Sequence, residues 1–118
     1  MSNADTIVLG KITGVFANRF VNLATDLLDG LSKLSNMIEQ KRERQSINSQ
    51  AAHVARAALD LETEVNMLYG QVPAKVKAAE ELGAKLMTLS IDLHGDLEPE
   101  AAQPVIDEAI NTVWKISC

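Results

Sequence analysis

Apolar residues recur along the first third of the chain at intervals of three and four residues. They are Leu9, Ile12, Phe16, Phe20, Leu23, Leu27, Leu31, Leu34 and Ile38, and we call them the α1 stripe. The intervals follow an eleven-residue repeat of about 3.67 residues per turn, which keeps a stripe nearly straight along one helix. The alternation of a strand is absent. The pattern predicts a long amphipathic helix over about residues 5–42.

Three more apolar stripes follow, and each predicts one amphipathic helix. A helix over residues 47–69 has the heptad Ile47, Ala51, Val54, Ala58, Leu61, Val65 and Leu68. A helix over residues 73–93 has Val76, Ala79, Leu82, Leu86, Leu89 and Leu93, with Met87 and Ile91 widening its apolar face. The last, over residues 102–116, has Val105, Ile106, Ala109, Ile110, Val113 and Trp114. Gly70, Pro73, Gly95, Pro99 and Pro104 lie at or near the boundaries.

The connection between the first two helices can be interpreted in two ways. Residues 39–46 contain no apolar side chain and no Gly or Pro, so they favour helix without offering a face to bury. We favour a reversal near residues 46–49, where Ser and Asn are typical of a turn or a helix start. The alternative is one extended helix from about residue 31 to residue 69, paired in a dimer.

Four amphipathic helices with short connections predict an all-α, antiparallel four-helix bundle with a long first helix, in a single domain over residues 1–118. The first helix is longer than the other three, so part of the α1 stripe lacks an obvious cover. Because an uncovered stripe needs a partner, we expect an oligomer, a dimer or higher, with the α1 stripe as its interface.

Composition and charge narrow the function. The chain has 118 residues, a net charge of −5, 47% apolar residues, four aromatic residues and one cysteine, which excludes general disorder and a disulfide framework. Residues 51–118 carry five basic and eleven acidic side chains, so they repel phosphate backbones and argue against nucleic-acid binding. No apolar run approaches the roughly 18 residues of a membrane span. The polar, acidic start of the chain lacks a secretory signal, so we expect a cytoplasmic protein.

One histidine is a candidate phosphoacceptor. His53 lies on the outer face of the second predicted helix, and Arg56 lies three residues further on. Residues 52–57 resemble the H-x-x-K-G motif of histidine phosphotransfer domains, with Arg56 in place of the lysine and Ala57 in place of the glycine. The resemblance implies phosphoryl transfer to the His53 ring, with the Arg56 cation stabilising the phosphate.

Two charged clusters offer weaker alternatives. Carboxylates and one imidazole alternate around Gly95, in Asp92, His94, Asp96, Glu98 and Glu100. An EF-hand loop also alternates its ligands, but its glycine and its final glutamate fall at other positions, so we predict no metal site and no cofactor. Lys41, Arg42 and Arg44 form a basic cluster that could contact the acidic region of residues 92–108.

The sequence as a whole predicts a non-enzymatic helical protein–protein interaction module of the adaptor, inhibitor or chaperone-like kind. It would present an apolar helix face to a second copy or to another protein. A carrier of phosphoryl groups on His53 is one alternative. Association of the amphipathic first helix with a membrane surface is another, opposed by the acidity of the chain.

Overall fold

The fold consists of helices. The computed structural model describes the backbone of residues 3–117 and the side chains of residues 18–117. Its α-helices are α1 (Asn3–Glu39), α2 (Arg44–Tyr69), α3 (Pro73–His94) and α4 (Gln103–Ser117), and a short 3-10 helix, Pro99–Ala102, precedes α4. Residues 3–117 contain no strand. The prediction of an all-α chain with four helices and a long first one is confirmed.

The reversal between α1 and α2 lies at residues 40–43, so its predicted position near residues 46–49 is wrong, as is the continuous helix. Lys41 adopts the left-handed conformation, with φ of 54°. The Lys41 amide donates to the Ile38 carbonyl and the Arg42 amide donates to the Met37 carbonyl. These are the two hydrogen bonds of a Schellman motif, which ends a helix. The motif was missed because Lys41 takes a position usually held by Gly or Asn.

The four helices share one hydrophobic core. Helix α1 packs against α2 and α4, and α3 packs against the same two helices. The largest fully buried apolar side chains are Leu27, Leu31, Leu34, Ile47, Val54, Leu61, Val65, Leu86, Leu93, Ile106 and Ile116. Burying each leucine or isoleucine contributes about 2 kcal/mol to folding. All of them except Ile116 belong to the predicted inward stripes, where they lie three, four or seven residues apart.

Basic side chains donate hydrogen bonds to backbone carbonyls at the ends of α3 and α4. The Arg44 guanidinium donates to the carbonyl oxygens of Leu93 at 2.7 Å, Gly95 at 3.2 Å and Leu97 at 2.6 Å. A cation there complements the negative end of the α3 dipole and holds the chain as it leaves α3. At the opposite end of α3, the Lys75 ammonium donates to the carbonyl of Ile116, in the last turn of α4.

The contact between α3 and α4 also has a charged pair on its surface. Lys85 on α3 forms a salt bridge with Glu108 on α4. The hydrogen bond to Glu108 raises the pKa of Lys85 above its ordinary value. Both side chains are exposed, so the pair adds little to stability. In the described part of the chain, no helix is both long enough and apolar enough to cross a membrane.

Candidate functional site

Much of the α1 stripe is covered by the chain itself. Five of its residues are buried in the core, namely Phe20, Leu27, Leu31, Leu34 and Ile38, and Leu23 is half-buried. The Phe20 ring packs edge-on against Tyr69 of α2, with the ring centroids 5.5 Å apart. The side chains of Leu9, Ile12 and Phe16 lie outside the described residues. The interface predicted on the α1 stripe therefore stays a prediction.

A glycine allows α1 and α2 to approach closely. Gly30 is buried, and a Cβ atom added to it would lie 2.9 Å from Cγ1 of Val54 on α2. The Gln50 side-chain amide donates to the Gly30 carbonyl at 3.0 Å. Helix α1 continues through this position. The glycine is therefore explained by close helix packing.

The candidate phosphoacceptor His53 lies in an open groove between α1 and α2. The groove has a volume of about 710 Å³, and His53 and Arg56 both line it, as the sequence predicts for neighbouring positions on one helix face. Asp26, Asp29 and Lys33 of α1 and Asp60 of α2 line the same groove. The three carboxylates outnumber the two cations, Lys33 and Arg56, so the groove is less favourable for phosphate than the pair of His53 and Arg56 alone suggests.

The acidic residues after α3 surround a structural turn. The His94 ring nitrogen Nδ1 is 2.7 Å from the Ser90 carbonyl oxygen, and Arg44 holds the backbone of the turn. The basic cluster thus reaches the acidic region through Arg44, which binds carbonyl oxygens there. Among the residues that the structure describes, no three His, Cys, Asp or Glu side chains are grouped so that they could hold a metal ion.

The outward face of α3 presents apolar side chains to solvent. Ile91 is 64% exposed and Met87 is 39% exposed, so the prediction that they widen the buried face is wrong. With Ala84 they form the middle of a second exposed stripe with spacings of 3-4-3-4-3. We call it the α3 outer stripe: Lys77, Glu80, Ala84, Met87, Ile91 and His94.

The apolar area extends from α3 onto α2. Leu59 of α2 is partly exposed, and its Cδ2 atom lies 3.4 Å from the position of a Cβ atom on Gly83 of α3. Leu59 therefore packs against α3 at Gly83, the residue before Ala84. Contiguous exposed apolar surface of this kind marks interaction sites on proteins. The sequence contains a signal for this surface, which is a second set of heptad spacings on α3. The signal is hard to recognise because the end positions of the stripe are polar or charged and Ala84 is small.

An exposed aromatic side chain lies on α4. Trp114 was predicted to face inward, but its side chain is exposed, whereas Ile106, Ala109 and Val113 are buried. The hydrogen bond from Ser35 to Gln103, at 2.9 Å, marks the side of α4 that faces α1. Trp114 follows Gln103 by eleven residues, three helical turns, and so lies on that same side. The inward stripe of α4 is therefore narrower than predicted.

Sequence reasoning also missed a buried carboxylate between α1 and α2. The Glu64 side chain is 2% exposed, and its Oε1 atom lies 3.5 Å from Nε of the exposed Arg19. The other oxygen, Oε2, has no hydrogen-bond partner. A buried carboxylate of this kind lowers stability unless it is fully paired. No pattern in the sequence distinguishes it from the exposed glutamates nearby.

Comparisons with protein-family models, with curated proteins and with solved structures gave no match for this chain.

Proposed function

We propose that this protein is a non-enzymatic helical interaction module that binds protein partners through the α3 outer stripe. The observation that carries the proposal is the exposure of Met87 and Ile91, two large apolar side chains one turn apart on the same face. A partner that covers them removes apolar surface from water, which drives most protein association. Methionine also adapts its shape to a partner. Adaptors, inhibitors and chaperone-like proteins act in this way.

The scaffold that we infer for this face is an antiparallel bundle. On α1 and α2, Phe20 packs on Tyr69 and Gly30 lies beside Val54, so residue numbers rise on one helix as they fall on the other. Arg44 reaches Leu93, and Gly83 lies beside Leu59, which supports the same relation for α2 and α3. A rigid scaffold of this kind presents a helix face with little loss of conformational entropy on binding.

The proposal moves the interface from the α1 stripe to α3. The core side chains of the α1 stripe contact the chain's own helices, so a partner would have to displace those helices to reach them. The α3 outer stripe needs no such opening. The proposal assigns no chemistry to His53, since three carboxylates share its groove.

Two matched substitutions test the proposal. Ile91→Glu places a charge in the outer stripe, and Met67→Glu places one on α2 at a methionine of matching exposure, 61% against 64% for Ile91. The neighbours of Met67 on its helix face include Thr63 and Gly70, so it has no apolar stripe around it. The measurements are light scattering of the purified chain and capture of proteins from native extract by the immobilised chain.

The expected result is an association, with a second copy or with another protein, that the wild type and Met67→Glu share and Ile91→Glu lacks. Thermal unfolding of each variant checks that the chain is folded. Identical association of all three folded chains would overturn the proposal, and so would an absence of any association by the wild type.

A further inference from the structure

We infer that the partner of the α3 outer stripe is a second copy of this chain, packed so that the two α3 helices run antiparallel across a two-fold axis near Met87. The inference rests on the proposed function and names its partner. It is carried by the order of charges and side-chain sizes along the stripe, which is complementary to itself when reversed.

The spacing of the stripe suits pairing of two helices. Intervals of three and four residues form a heptad seam, the pattern by which two helices pack side by side. Helix α3 already uses one seam inward, through Ala79, Leu82, Leu86, Leu89 and Leu93, which are all buried. The outer stripe is a second seam on the same helix, and every one of its six positions is exposed.

Reversal about Met87 brings unlike side chains together. Positions whose numbers sum to about 174 or 175 face each other, so Ala84 faces the partner's Ile91, and a small side chain meets a large one. Glu80 then faces the partner's His94. The Nδ1 atom of His94 is engaged by the Ser90 carbonyl, which leaves Nε2 for a carboxylate.

The Lys77 end of the stripe is also complementary in charge to the part of the second copy that it faces. Lys77 comes beside the partner's acidic turn after α3, where Asp96 and Glu98 are both exposed. A parallel pairing would instead set Lys77 against Lys77 and Glu80 against Glu80. Like charges facing each other oppose association, so the charges select the antiparallel arrangement.

Apolar surface beyond α3 enlarges this interface. Leu59 of α2 leans over α3 beside Gly83, and Ala52 of α2 is also exposed. In a two-fold interface each contact occurs twice, because the same patch serves both copies. Ile91 and Met87 at the centre are therefore the residues whose loss weakens the dimer most.

The experiment measures the dimer dissociation constant of the full chain by sedimentation over a wide concentration range. The wild type and Met67→Glu are expected to show the same monomer–dimer equilibrium. Ile91→Glu, which places two charges in each dimer, is expected to raise the dissociation constant at least about a hundredfold. A wild type that stays monomeric at every concentration would overturn the inference.

A charge exchange tests the antiparallel register. Glu80→Lys alone sets a lysine against each His94, and His94→Glu alone sets carboxylate against carboxylate, so each variant is expected to weaken its own dimer. Mixed together, the two variants form a heterodimer in which the introduced lysine faces the introduced glutamate. At the other end of the seam, the native His94 and Glu80 still face each other, so association is expected to recover. If mixing gives no gain over the separate variants, the antiparallel pairing is wrong.

The two proposals fail in different ways. A chain that is always monomeric, yet captures another protein through Ile91, would refute the second copy and leave the proposed function standing. A dimer whose dissociation constant is unchanged by Ile91→Glu would refute the α3 outer stripe as the interface in both proposals.

Discussion

Two stripes of residues in this molecule, the apolar α1 stripe and the partly apolar α3 outer stripe, have nearly the same periodicity and opposite surroundings. From Phe20 onward, the α1 stripe lies under α2 and α4 and is buried, except that Leu23 is half-buried. The α3 outer stripe has spacings of three and four residues as well, yet Met87 and Ile91 remain in solvent. Periodicity identifies a helix face that can pack. Whether the same chain covers that face depends on where its other helices lie.

The fold shows why most of the α1 stripe is covered by the chain itself. A long first helix suggests surplus apolar surface, but the Schellman turn at Lys41 ends α1, and α2 packs against it. Helix α4 lies against another side of α1. Helix α3 packs against α2 and α4 and keeps its second seam outside. On α3 the exposed large apolar side chains are Met87 and Ile91, while Val21 on α1, Leu59 and Met67 on α2 and Trp114 on α4 are exposed as well.

The largest expected effect is the difference in the free energy of unfolding between two variants, one truncated in the α1 stripe and one in the α3 outer stripe. Leu31 is fully buried, so Leu31→Ala should lower the free energy of unfolding by about 3 kcal/mol, through lost burial and a cavity. Ile91→Ala should change it by less than about 0.5 kcal/mol when measured on the monomer. Chemical denaturation at low protein concentration gives both values. Equal losses in the two variants would refute the contrast between the stripes.

Two buried glycines differ in the room that they leave for a side chain, and this difference tests how the helices pack. Gly30→Ala places a Cβ atom against Val54, a stiff core side chain, and should lower stability by about 2 kcal/mol. At Gly83 the nearest atom to an added Cβ, at 2.8 Å, is Oε1 of Glu62, the far end of a flexible side chain. Gly83→Ala should therefore be neutral or stabilising by up to about 1 kcal/mol. Thermal and chemical unfolding should rank Gly83→Ala above wild type and Gly30→Ala below it, and the reverse order would contradict this packing.

A smaller gain is expected at the turn that folds α2 onto α1. Lys41 is exposed and has a positive φ, which costs a residue with a side chain about 1 kcal/mol. Lys41→Gly should therefore raise the free energy of unfolding by about that amount, as read from the denaturation midpoint. Arg42→Gly is the control, and it should not stabilise the chain. A loss of stability in Lys41→Gly would argue against the left-handed turn.

Much of the fold could be predicted because helix periodicity is a local property. The intervals in the α1 stripe and in residues 47–68 place the buried side chains of α1 and α2 with few errors. The position of the first turn could not be predicted, since the Schellman motif at Lys41 contains neither Gly nor Asn. Its energy comes from backbone hydrogen bonds and from the packing of α2, which residue types alone do not reveal.

The candidate site was harder to predict because exposure is a property of the whole fold. Met87 and Ile91 lie next to inward positions on α3, and only the placement of α2 and α4 decides which apolar residues remain outside. Trp114 was misplaced for the same reason. Glu64 was missed because its burial depends on the contact between α1 and α2, while its neighbours in sequence are ordinary surface residues.

Disulfide trapping tests the central claim most directly. Cys118, the single native cysteine, is replaced by serine, and Met87→Cys and Met67→Cys are compared under mild oxidation. A two-fold axis near residue 87 brings the two introduced thiols within bonding distance, so Met87→Cys should form a covalent dimer rapidly at micromolar concentration while Met67→Cys stays monomeric. Equal rates of dimer formation, or a faster rate for Met67→Cys, would contradict the claim that two chains pair through α3.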